Sequence, residues 1–448
     1  MGVDALALGT NTVASGAGAV AEGANTQATG DYAHAEGLST LASGESAHAE
    51  GTLTTASQFQ AHAEGFQTLA AGYASHAEGA SAAAEGNVSH AEGDHTQAIG
   101  DNSHAEGYNT QANGPNSHAQ GNSTQANGHT AFAQGHETIA DGHNSYAGGY
   151  NTHAVGGNAH AEGDNTLANG ANSHTEGDST QANGNATHAQ GHLSQANGHN
   201  SHAEGFNTRA QGNNSHAEGT STQALGGNSH THGDGTIAAA NNQTAIGLFN
   251  TESLADVFII GNGSGDTARS NAFRVSFGGD TYCAGSFYPG GADYAEMFEW
   301  QDGNPENEDR RGLFVTLQGE FIRPATAEDP YILGVVSCAP SVAGDSQSEG
   351  WKDRVLRDVW GAVLYETKEG VSLPKRNPRY DPSLAYVPRA QRKEWAAVGL
   401  LGKLIVRDDG SCQPGGYCVP GNSGATAAPQ GYRVMKRVDA GKVMICLK

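Results

Sequence analysis

The chain has 448 residues, 64 of them glycine and only 7% aromatic, too few large side chains for a conventional globular core. Its net charge of −24 is unevenly placed: up to Gly247 a single basic residue, Arg209, stands against 22 acids, whereas from Leu248 onward 22 basic residues nearly balance 25 acids. The acidic part repels nucleic acid and anionic membranes, and no apolar run approaches the roughly 20 residues of a spanning helix, so neither is an expected partner.

Residues 1–16 have no basic segment and no apolar stretch, so no signal peptide is expected and synthesis in the cytoplasm follows. They enter a repeat at once, which reads as a module cut from a longer fibre. Gly recurs every seventh residue from Gly9 to Gly247, with Gln58 and Ala240 the only departures. Ala stands at every multiple of seven from Ala7 to Ala245 except Thr175 and Thr231. Successive heptads differ, so the unit is fourteen residues: S-H-A-E-G in one half (Ser75 to Gly79, Ser201 to Gly205) and T-Q-A-N-G in the other (Thr110 to Gly114, Thr180 to Gly184). Links such as Asp101-Asn102 are rich in turn formers.

A coiled coil needs large apolar residues at two heptad positions, and Gly in every heptad would cost a helix about 1 kcal/mol each time. Collagen needs Gly at every third position. A β-solenoid fits: five residues form a strand, two a turn, and two strands one coil, with Ser, Ala and Gly inward and His and Glu outward. At roughly 4.8 Å per coil, about seventeen coils make a rod near 80 Å. A core of Ala, Ser and Thr gains little at roughly 25 cal/mol per Å², so lateral association is expected. With Leu6-Ala7-Leu8-Gly9 and Thr244-Ala245-Ile246-Gly247 as the best matches, residues 1–247 resemble the YadA-like heads of trimeric autotransporter adhesins. That resemblance implies a left-handed parallel β-roll assembled as a homotrimer. The departure from the family is that His and Glu replace the aliphatics that face the trimer axis there.

Histidine occupies 13 of the 15 positions spaced by fourteen from His34 to His230, Phe132 and Tyr146 being the exceptions. The ladder is His34, His48, His62, His76, His90, His104, His118, His160, His174, His188, His202 and His216, ending at His230, mostly with Glu two residues on. Two readings stand open. One is a polar interface of His–Glu pairs that sets register. The other is capture of a transition metal on the trimer axis, best at His230-Thr231-His232, where three copies would supply six imidazoles; no cofactor is required. Turn histidines such as His95, His129 and His199 read as solvated.

After Gly247 the texture changes. Residues 248–290 read as a β connector, with strands around Val257 to Ile260 and Ala272 to Val275, and residues 291–448 as a compact β-rich domain. Its expected strands are Leu313 to Leu317, Ile332 to Ser337, Val398 to Val406 and a closing hairpin, Tyr432 to Arg437 with Lys442 to Leu447. The five cysteines, Cys283, Cys338, Cys412, Cys418 and Cys446, read as free thiols, with a Cys412–Cys418 pairing left open. His232 is the last histidine, which excludes a histidine-based catalytic triad within this domain. Chemistry there falls to carboxylates, hydroxyls, lysines or thiols, and Asp293, Glu296 and Glu299 cluster among aromatics before Trp300.

The run from Gly291 to Trp300, the stretch from Trp395 to Leu404 and the Gly410-to-Cys418 segment resemble the intramolecular-chaperone auto-processing domains that end phage appendage and tailspike proteins. The resemblance implies a domain that trimerises the chains, guides folding and then cuts itself away. It carries the catalytic acids over to Asp293 and Glu296, with cleavage at Ala292–Asp293 or an immediate neighbour. Their spacing of three suits a turn or strand edge where two carboxyls converge. The expected protein is a phage or phage-like tail fibre or spike in the virion tail, or extracellular after lysis. Its partners are a host receptor or glycan and other tail or baseplate proteins. The alternatives are a secreted trimeric adhesin and a glycan depolymerase spike.

Overall fold

A computed structural model describes residues 2–347, 354–368, 371–383 and 385–448. Among them there is no α-helix, a 3-10 turn spans Arg389–Gln391, and no helix is long and apolar enough to cross a membrane. Two compact units meet in sequence between Ala284 and Gly285.

The first unit is a β-solenoid of eighteen five-residue strands, from Leu6–Thr10 to Thr244–Leu248, alternating with two-residue strands such as Gln111–Ala112. Each strand pairs in parallel with its equivalent fourteen residues on, so His76 lies over His90, Ala77 over Ala91 and Glu78 over Glu92. The coil is thus less symmetrical than expected: the T-Q-A-N-G half contributes two strand residues rather than five, and the longer strand begins at His rather than Ser. Ser75 and Ala77 are buried as the alternation requires, but Gly79 is exposed. Gly79 is conserved within the repeat for a different reason. Its φ is +107°, and a Cβ there would stand 2.2 Å from the Gly93 carbonyl oxygen of the next coil.

The interior is a file of alanines, nearly all fully buried, flanked by buried Ser and Thr. Several serine hydroxyls bond back to the turn, as in Ser75 Oγ to the Gly72 carbonyl at 2.8 Å. Most Thr hydroxyls of the other row, including Thr110, Thr124 and Thr138, find no partner, whereas Thr208 donates to Ser194 Oγ at 2.9 Å. The connector first continues the stack: Asp256–Asn262 pairs in parallel with Thr244–Leu248, placing fully buried Ile259 where Ala245 lay. Buried Gln243 and Asn250 close this end through their amides, Gln243 Nε2 donating to the carbonyls of Ser253 and Asp256 at 2.7 Å each. The strands Asn271–Ser276 and Thr281–Cys283 then turn the ladder antiparallel.

The second unit is built on one long strand, Trp395–Arg407. Its first half pairs with Asp293–Glu299 and its second with Lys442–Leu447, which continues through Tyr432–Asp439 to Tyr417–Gly421 and Gly424–Ala428. Phe314–Gln318 and Gly334–Val336 fall where strands are expected. Phe314, Val335, Leu404, Val406, Val443 and Ile445 form the core together with Cys412 and Cys418. All five cysteines are free thiols. Burial pushes the thiol of Cys412 up to about 12 and that of Cys418 up to about 11, which keeps both protonated.

Candidate functional site

Asp293 opens the strand Asp293–Glu299, opposite Gly402 of the long strand. Along it Asp293, Ala295 and Met297 point inward, whereas Tyr294 and Glu296 do not. Residues three apart on an extended strand face opposite ways, so a single chain does not bring the carboxyls of Asp293 and Glu296 together. The expected convergence would need a turn here, and pairing with the long strand forbids one.

The two carboxyls consequently live in different surroundings. Asp293 is buried, and its Oδ2 has no hydrogen-bond partner. Burial raises its pKa, against the opposing pull of the Ser337 hydroxyl. Gly399 makes room for it, since a Cβ there would lie 2.9 Å from Oδ2. Glu296 accepts a hydrogen bond from the Tyr294 hydroxyl at 2.7 Å on the other face. The backbone around the expected scissile bond is also held: the Ala292 carbonyl accepts from Lys403 N at 3.2 Å and the Asp293 carbonyl from Ser341 N at 2.8 Å. Gly290 to Asp293 lie along a cleft of about 1080 Å³ shared with Arg311, Ser337, Cys338, Lys403 and Arg407. Ser337 and Lys403 were not foreseen as site residues. Each is remote in sequence from Asp293; Lys403 lies within the Trp395-to-Leu404 stretch noted above, but nothing local ties it to the acidic motif, and Ser337 lacks a local pattern that would mark it.

In the shaft, the ladder imidazoles stack face to face: His34 on His48 at 4.8 Å and 4°, His62 on His76 at 4.7 Å and 0°. Phe132 interrupts the stack, meeting His118 edge-on at 86°. In several coils Nε2 lies close to the Glu carboxylate of its own coil, at 3.6 Å in His34–Glu36, His48–Glu50 and His76–Glu78. Burial, then repulsion from neighbouring imidazoles, lowers the pKa of His48, His62, His76, His104 and His118. At the far end His230 stacks obliquely on His216, and His232 Nδ1 lies 3.4 Å from Glu218 Oε2 of the coil before. Turn histidines are not merely solvated. His95 Nδ1 bonds Asp94 at 2.5 Å, and His199 Nδ1 accepts from the Asn185 amide at 3.2 Å.

Residues 249–440 match the family described as Peptidase_G2, IMC autoproteolytic cleavage domain, and residues 2–26, 91–117 and 147–173 match the YadA head domain repeat. The chain is 38% identical over 156 residues to the putative phage-related protein YobO of Bacillus subtilis (strain 168), covering 33% of this chain and 19% of that protein. It is 39% identical over 142 residues to the preneck appendage protein of Bacillus phage PZA, covering 30% of this chain and 16% of that one. It therefore spans about a fifth of the length of these relatives. Among solved structures, the C-terminal fragment of bacteriophage phi29 gene product 12 aligns at 32% identity and a TM-score of 0.30, covering 35% of this chain and all of that one. Segments of the shaft thus resemble YadA head repeats, and the part of the chain that follows resembles the intramolecular-chaperone autoproteolytic cleavage domain.

Proposed function

We propose that this chain is part of a homotrimeric phage tail appendage whose C-terminal domain assembles the three chains, guides folding of the shaft and then cleaves itself off. The match of residues 249–440 to an autoproteolytic cleavage domain carries this reading, and the appendage relatives support it. The appendage belongs to the virion, docks on other tail or baseplate proteins through parts beyond this chain, and meets a host receptor or glycan. Trimerisation also answers the thin Ala core, which alone gains little from burial.

The cut falls at Ala292–Asp293 or beside it. Glu296 acts as general base on a water molecule, and the resulting hydroxide adds to the Ala292 carbonyl carbon, whose oxygen Lys403 N already holds. Collapse breaks the C–N bond, and Asp293, whose pKa burial raises, acts in its protonated form and gives its proton to the departing nitrogen. One water is consumed, leaving a carboxylic acid on Ala292 and an amine on Asp293. Because the two side chains of one chain face opposite ways, Glu296 comes from a second copy. Cleavage then waits for assembly and serves as a check on it.

Mass spectrometry of freshly assembled protein tests this. Wild type yields a fragment of residues 293–448, whereas Asp293→Ala and Glu296→Ala each stay whole. Co-expression of the two variants restores partial cutting, confined to chains that keep Asp293. Cutting of either single variant at the same bond overturns the carboxylate mechanism. Two inert variants with no cutting in the mixture overturn the shared site.

A further inference from the structure

The ladder carries more nitrogen donors than a register device needs, and they are disposed unusually. The Nε2 atoms of His34, His48, His62, His76, His90 and His104 are shielded from solvent and make no hydrogen bond. The first four nevertheless sit beside a carboxylate of their own coil: His34 Nε2 lies 3.6 Å from Glu36 Oε2, longer than an N–H···O bond, and His48, His62 and His76 repeat the arrangement at 3.6–3.7 Å. We propose that the stack from His34 to His90 binds divalent transition-metal ions, each held by two successive imidazole Nε2 atoms and the carboxylate between them.

The first donor set is His34, Glu36 and His48, and the pattern repeats without a break to His76, Glu78 and His90. Within each set all three donor atoms lie within 4.8 Å of one another. A separation of 3.6 Å is what two ligands span on one small ion at bond lengths of about 2.0–2.1 Å and an angle near 120°. The second imidazole must tilt inward by about 1 Å to complete the set. Its freedom to do so is visible in the side chains, which remain about one third exposed (His48 35%, His76 34%).

Two nitrogens and one carboxylate, with a position left for water, suit Zn, Co or Ni rather than Ca or Mg, which take oxygen ligands. One Nε2 serves one ion, so filled sites alternate and the stack of five histidines holds two. A further set, His174, Glu176 and His188, lies beyond the aromatic break at Phe132 and Tyr146.

The test is a titration of the full chain, freed of metal with chelator, with Co²⁺ at neutral pH. It is followed by visible d–d absorption and by metal analysis after equilibrium dialysis. Two or more ions per chain are expected, with binding insensitive to millimolar Mg²⁺. The combined change His48→Gln and His76→Gln strikes every set in the first stack and removes two of these ions. The paired control His95→Gln and His129→Gln, at turn positions, leaves the stoichiometry unchanged. Phe132 already occupies a ladder position, so a residue other than His is compatible with the coil, and circular dichroism checks the fold of each variant. Should a variant not fold, the combined change Glu36→Gln, Glu50→Gln, Glu64→Gln and Glu78→Gln, which strikes the carboxylate of every set in the first stack, weakens Co²⁺ binding there at least tenfold in the same titration. Fewer than one Co²⁺ per wild-type chain, or full binding by a folded ladder variant, overturns the proposal.

Discussion

Replacing Gly107 by Ala tests the stacking that governs the whole shaft. Gly107 has φ +117°, and the added Cβ would stand 2.1 Å from the carbonyl oxygen of Gly121, where van der Waals contact begins near 3.4 Å. Backbone cannot swing aside as a side chain can, so the strands His104–Tyr108 and His118–Asn122 must separate by about 1 Å, which breaks their local ladder bonds. Two or three such bonds at about 1 kcal/mol each, plus 1–2 kcal/mol for an L-residue at this φ, amount to roughly 3–5 kcal/mol. The built-in control is Gly157→Ala. Gly157 has room for a Cβ and an ordinary φ, so the change is neutral or stabilises by about 0.4–1 kcal/mol through the unfolded chain. A solenoid unfolds in parts, so the assay is amide hydrogen exchange read by mass spectrometry, coil by coil, with the melting temperature beside it. Gly107→Ala should lose protection in the coils around residues 104–122 while distant coils keep theirs. Equal protection in the two variants would falsify the stacking argument.

The Thr124 hydroxyl is buried without a partner, so Thr124→Val should stabilise the shaft by about 1 kcal/mol, read as a raised melting temperature at matched protein concentration. Acid should weaken the shaft. The folded pKa values of His48, His62, His76, His104 and His118 lie below the unfolded value, so their stabilising contribution is present above about pH 6.5 and is lost as pH falls through the folded values. Melting at pH 7.5 and 5.5 checks this, and Glu50→Gln with Glu64→Gln should steepen the loss, because those carboxylates raise the histidine pKa values. Gly399→Ala crowds both Asp293 Oδ2 and Leu404, and should slow self-cleavage, measured as fragment release over time, at least tenfold. Under native conditions a thiol reagent should modify exposed Cys283 and Cys338 and spare buried Cys412 and Cys418; rapid labelling of all four would contradict the core assignment.

The shaft was legible in the sequence because its constraints are local and repeated. A coil that stacks on its own copy admits no Cβ at Gly23 or Gly37, and its narrow interior admits only Ala, Ser or Thr, so the period is written directly into residue identity. That reasoning led to the right architecture with a wrong detail. Gly79 seemed to belong to the interior by alternation, whereas its conformation and the carbonyl above it, not burial, require glycine. The unequal strands of the coil were hidden for a related reason: S-H-A-E-G and T-Q-A-N-G alternate alike, and only the stacked hydrogen bonds separate a five-residue strand from a two-residue one.

In the C-terminal domain the sequence marked Asp293 and Glu296 by residue type and position, but it could not say whether they meet. A spacing of three converges in a turn and diverges on a strand. The choice was made about a hundred residues away by the long strand Trp395–Arg407, whose first half, up to Gly402, pairs with Asp293–Glu299. The same pairing sets Lys403 N on the Ala292 carbonyl and Gly399 beside the Asp293 carboxyl, and Gly334–Val336, on the opposite edge of that strand, carries Ser337 to it. Residue chemistry is local, whereas the burial that raises the pKa of Asp293 and the faces that part it from Glu296 arise from strand pairing across the sheet.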